Sequence, residues 1–269
     1  MFWELWQYGF FQRALGAGLL LGVAAAILGL FLILRKDAML GHGLTHIAFA
    51  GVALALFFDL MPFPVALLAA AAAAFFILKI RERAGLYGDT AVAIFSSLGL
   101  AAGIVLASVA RNFNVNLLSF LFGNILAVND LELYGAIILA LGVILALVLF
   151  YYELLFITFD EESARAAGLA VGRLDALLAL LTAVTVVIGM KIVGLLLVSA
   201  LLVLPGAAAL QLAGSFRRCV FLAALFGAIS VLAGLFLAAA LNWPASGAIV
   251  LSSGAIFLLA ATLRRLRSA

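Results

Sequence analysis

The chain has 269 residues, 68% of them hydrophobic and only 10% charged, with a formal net charge of +3. Soluble domains carry about 25% charged residues, so a water-soluble fold is excluded and no nucleic-acid partner is expected. The solvent for most of this chain is lipid, and the expected fold is an all-α polytopic membrane bundle.

Residues 1–13 carry Phe2, Trp3, Trp6 and Phe10 and read as an amphipathic segment lying in the membrane interface. No lysine-rich stretch precedes the first apolar run, and no secretory signal is expected. Nine runs are long enough to cross: 14–34, 40–58, 62–79, 90–110, 131–152, 174–190, 192–213, 219–241 and 246–263. A tenth, Leu117–Val128, is too short to cross and reads as a re-entrant half-helix, tolerable only where protein covers it. The links at Asp59–Pro62 and Met190–Ile192 are so short that eight spans plus re-entrant pieces is the alternative count. Small residues run through most spans and favour close helix approach. Residues 1–269 are expected to form one membrane domain.

Basic residues set the expected orientation. With Arg35 and Lys36 placed inside, alternating spans put Lys79, Arg81, Arg83, Arg165, Arg173, Arg217, Arg218, Arg264, Arg265 and Arg267 there too. Arg13, Arg111 and Lys191 fall outside. That bias predicts an external N-terminus and a cytoplasmic C-terminus.

Several chemistries are not encoded. Cys219 is the single cysteine, so neither an internal disulfide nor a cysteine zinc cluster is possible. Lys36, Lys79 and Lys191 follow Arg, Leu and Met rather than Gly, so there is no P-loop. Neither Gly-x-Ser-x-Gly nor His-Glu-x-x-His occurs. The chain is not expected to be an enzyme, and any nucleotide must be bound by another subunit.

Both histidines lie in "MLGHGLTHIAFAG", Met39 to Gly51. His42 and His46 are four apart and share a helix face, with Thr45 beside them. Phe49 and Ala53 are expected to continue that face as an apolar stripe. Two imidazoles can hold zinc, copper, nickel or iron, with water or another helix completing the shell. They can equally hydrogen-bond to neighbouring helices.

Other polar positions carry two readings each. "TFDEESARAAGLAVGR", residues 158–173, predicts a short helix with Asp160 as N-cap, Glu161 and Glu162 in its first turn, and Gly168 ending it. It is a solvated link or a docking element. Asn124, within the re-entrant piece, offers a carbonyl to an ion or caps the bundle. Asp59 is a solvated end residue or greets an external cation. Pro205 kinks its span, statically or as a gating hinge. Ser96 and Ser97 are expected to bond between helices.

The stretch "FLILRKDAMLGHGLTHIAFAGVALALFFDLMPFP", Phe31 to Pro64, resembles the membrane subunits of ATP-binding-cassette importers for zinc, manganese and iron. Gly41, His42, Thr45 and His46 take the places of that family's Gly-Asp-x-x-Ser/Ala-His motif. Four further stretches match in order: "SFLFGNILAV", "TFDEESARAAGL", "KIVGLLLVSALLVLPGAAA" and "NWPASGAIVL". The zinc-uptake branch is most similar, through Ile-Ala-Phe-Ala-Gly after His46. Positions 42 and 124 carry His and Asn where the family usually has Asp.

The resemblance implies a type II importer permease in a prokaryotic cytoplasmic membrane. Its partners would be a second copy, a cytoplasmic ATPase dimer and an extracytoplasmic metal-binding protein. No cofactor would be held permanently; ATP would sit on the partner and zinc, manganese or iron would be cargo. Asp160, Glu161, Glu162, Arg165 and Gly168 would belong to the coupling helix, with Ala164, Ala167 and Leu169 as its apolar contacts. The expected function is a permease subunit for a divalent metal, zinc first. An ATP-independent channel or secondary carrier is the alternative, and a metal-sensing scaffold ranks last.

Overall fold

The computed structural model describes residues 7–84, 88–109, 123, 125 and 128–268. Eleven helices follow in order among them: α1 Gly9–Leu34, α2 Ala38–Phe57, α3 Pro62–Ala84, α4 Gly88–Val109, α5 Asp130–Leu149, α6 Tyr151–Phe159, α7 Glu161–Ala166, α8 Val171–Val193, α9 Leu195–Leu212, α10 Phe216–Leu241 and α11 Ala245–Ser268. Nine of them, all but α6 and α7, are long and apolar enough to cross a membrane. Their 18 to 26 residues span about 27–39 Å at 1.5 Å per residue, against a hydrocarbon core of about 30 Å.

Charge pairs form two layers separated by apolar helix. At one end, the Arg13 end, Arg13 meets Asp130 at 3.5 Å and Lys191 meets Glu132 at 3.4 Å. At the other, the Arg35 end, Arg35, Asp37, Arg81, Glu161, Arg165 and Asp175 pair among themselves. Arg264 also donates to Gln211 there, at 2.9 Å.

α1 runs through the middle, against α5, α9 and α10, and α2 lies among α3, α4 and α8. The approach of α1 to α9 is set by Gly29, where any Cβ would overlap the Leu202 carbonyl. Pro205, in α9, is buried beside this crossing; the helix continues to Leu212.

Several boundaries differ from expectation: α1 already begins at Gly9, inside the segment read as interfacial, and α3 runs on to Ala84 rather than 79. The predicted span 131–152 ends at Leu149, and α6 starts afresh at Tyr151. An aromatic cluster holds the new direction: Tyr151, Phe159 and Phe31 all pack on Phe216, with ring centroids 5.4–6.0 Å apart. α8 begins three residues before the predicted 174, which moves Asp175 from its first turn to its second. α8 and α9 are separate spans broken at Gly194, whose φ of 89° suits glycine. Gly123 packs directly against Val193 and Gly194, and Ile125 and Val128 are buried. Asn124 and most of Leu117–Val128 lie outside the described residues.

Candidate functional site

α2 has one uncovered stripe. Met39, His42, His46, Ala50, Leu54 and Phe57, spaced three or four apart, are its exposed or half-buried residues on that line. The remaining faces are packed. Phe49 and Ala53, expected to continue the histidine face, are buried instead. The reason lies on α4, where Gly103 leaves room for the Phe49 ring. The face therefore drifts toward i+4 and passes through Ala50.

His42 Nε2 and His46 Nε2 stand 3.3 Å apart, with the rings edge to face. Two nitrogens of a tetrahedral zinc centre, with Zn–N near 2.0–2.1 Å, are about 3.3–3.4 Å apart. The same separation suits an N–H···N hydrogen bond when one ring is protonated at Nε2 and the other is not. Thr45 is buried and its hydroxyl donates to the His42 carbonyl at 2.6 Å. It shapes the helix and does not open onto the stripe. Among the described residues, no group of three or more His, Cys, Asp or Glu side chains is placed to hold a metal ion. The pair thus needs water or another chain to complete a shell.

Asp59 is not brought to the histidines. It lies seventeen residues beyond His42, about 25 Å along the helix axis, in the turn after α2. Its φ is 54°, and Leu60 N–H closes the turn on Ala55 at 2.8 Å. Asp59 serves here as the left-handed terminator of the helix.

The short helix α7 is built as the sequence predicts. Asp160 Oδ1 accepts from Ser163 N–H at 3.0 Å, which holds its carboxyl below the usual value. Glu161 accepts from Arg165 at 2.7 Å. Gly168, at φ 85°, ends the helix: its own N–H reaches Arg165 and that of Leu169 reaches Ala164. Glu162, Arg165 and Ala167 are exposed, whereas Ala164 is fully buried within this chain. Ala164 therefore anchors α7 to its own bundle and is not available as outward contact.

Four charged residues in this region, Arg35, Asp37, Arg81 and Asp175, carry no site role that sequence pattern alone assigns. Arg35, only 9% exposed at its side chain, meets Asp175 at 2.5 Å and Glu161 at 3.3 Å. Asp37 accepts from Arg81 at 2.6 Å; burial raises its carboxyl pKa and Arg81 pulls it back. These residues border a cavity of about 520 Å³ between α3, α7 and the α1–α2 turn. The one available signal in the sequence is Asp175 itself, a carboxylate inside the predicted span 174–190.

Nine helices able to cross a membrane, with a charged layer at each end, define a polytopic membrane protein. The family model "ABC 3 transport family" matches residues 7–264. The chain is 34% identical over 257 residues to the manganese transport system membrane protein MntC of Halalkalibacterium halodurans, covering 96% of this chain and 88% of that one. It is 32% identical to the high-affinity zinc uptake system membrane protein ZnuB of Haemophilus influenzae, covering 91% and 94%. The solved structure of PsaBC from Streptococcus pneumoniae in complex with Fab superposes with a TM-score of 0.85 at 34% identity, covering 97% and 95%.

The chain belongs to the ABC 3 transport family. It is the permease subunit of a metal ATP-binding-cassette importer and is not itself the ATPase.

Proposed function

We propose that this permease carries zinc inward across a prokaryotic cytoplasmic membrane, with the Arg35 end cytoplasmic and the N-terminus outside. Two copies face each other across the α2 stripe. An extracytoplasmic metal-binding protein delivers the ion, and a cytoplasmic ATPase dimer docks on the Asp160–Gly168 helices. ATP binding and hydrolysis on that dimer rock the two copies and alternate access to the path. His46 and His42 contact the passing ion; Glu161, Glu162, Arg165 and Ala167 meet the ATPase.

The observation that carries this reading is the 3.3 Å Nε2–Nε2 separation on the uncovered stripe of α2. Two imidazole nitrogens favour zinc over manganese, which prefers carboxylate and water oxygen. An incomplete shell also suits transport, since the ion must leave. Manganese is the second reading, supported by relatives named for manganese transport. A secondary carrier is less well supported, because such carriers use ionisable groups near the midplane. The carboxylate inside α8, Asp175, is paired with Arg35 at one end.

The test is reconstitution of the chain with its ATPase in liposomes, with zinc and manganese offered together. ATP-dependent uptake in which zinc displaces manganese supports the proposal. Uptake by the chain alone, or manganese displacing zinc, contradicts it.

A further inference from the structure

We propose that Arg35 is the joint through which movement of α7 reaches the histidine pair, a positioning residue for transport that never touches the ion. This rests on the reading that an ATPase subunit drives α7. The guanidinium joins three elements. Nη1 donates to the Ile157 carbonyl at 2.7 Å, in the last turn of α6. Nη2 faces Glu161 in the first turn of α7 and Asp175 in the second turn of α8. A planar fork of donors suits such a three-way contact, and a lysine ammonium does not.

On its other side Arg35 belongs to a closed turn. Lys36, at φ 62°, donates to Ile33 at 3.0 Å, and Asp37 N–H donates to Leu32 at 2.7 Å. Such a double-bonded turn has little slack. Displacement of Arg35 therefore shifts Asp37 and the first turn of α2. His42 lies five residues beyond Asp37, in the second turn. The Asp37–Arg81 pair adds α3 to the same body.

The 520 Å³ cavity lies under this joint, lined by Arg35, Asp37, Arg81, Glu161 and Asp175. It separates α7 from the facing end of α3, with Leu78 and Arg81 on one wall and Glu161 and Arg165 on another. Releasing a buried guanidinium from its partners is strongly unfavourable, so Arg35 follows α7 and α8.

The experiment uses the complete importer in liposomes, reading zinc uptake and ATP hydrolysis in the same vesicles. In Arg35→Lys and in Asp175→Asn, hydrolysis is expected to persist while zinc moved per ATP falls about tenfold, within the roughly 5- to 150-fold range of inter-site coupling. If Arg35→Lys does not assemble, Asp175→Asn decides. An unchanged zinc-to-ATP ratio in the variants that assemble overturns the proposal. So does a parallel fall of uptake and hydrolysis, or loss of assembly in both variants, which mark a merely structural residue. A wild-type complex that moves no zinc would instead overturn the proposed function.

Discussion

The α carbon of Gly29 rests against the main-chain carbonyl of Leu202, and this contact fixes how closely α1 and α9 cross. The obstacle is backbone, which cannot swing aside as a side chain can. Gly29→Ala is therefore expected to push the helices apart and destabilise the bundle by about 1–3 kcal/mol. Gly142, in α5, has nothing within 4 Å of the position a methyl group would take, so Gly142→Ala is the matched control and should be neutral or slightly stabilising. Thermal unfolding in detergent distinguishes them; equal midpoints would contradict the packing argument.

Acid should loosen α7 with a defined sign. The bond from Arg165, and more weakly Arg35, holds the Glu161 carboxyl below its ordinary value of 4.5 against an opposing effect of burial. A depressed carboxyl contributes stability above its unfolded pKa and loses it as pH falls through the folded one. Wild type should thus lose stability relative to Glu161→Gln below pH 4.5, with a constant difference above it. Unfolding midpoints across that range check the sign; a wild-type advantage that widens on acidification would contradict it.

Much of this was legible in the sequence because membrane spans are read from long apolar runs. Nine were expected, and nine helices of that kind occur among the described residues. The capped α7 was legible for a local reason, an Asp and a Gly bracketing one helical turn and a half. What failed depended on contacts between distant segments. Phe49 and Ala53 left the histidine face because a glycine on α4 admits the Phe49 ring. The α5–α6 break has no Gly or Pro to announce it and depends on Phe216, some sixty residues later. In the sequence Arg35 reads only as a charge that sets orientation, since its partners Glu161 and Asp175 are more than a hundred residues away.

Position 42 is expected to tune selectivity. His42→Asp replaces a borderline nitrogen with a hard oxygen at one half of the pair. The competition between the two metals should shift toward manganese by about tenfold, or ~1.4 kcal/mol. Uptake of radiolabelled manganese against rising zinc measures it. An unchanged ratio would mean that His42 does not touch the ion.

Everything proposed for transport depends on the ion passing over His46. The decisive experiment is zinc uptake in liposomes carrying the assembled importer with His46→Ala, read alongside its ATP hydrolysis. The complex is expected to assemble and to lose zinc uptake. Uptake at the wild-type rate from an intact His46→Ala complex would show that the ion takes another route.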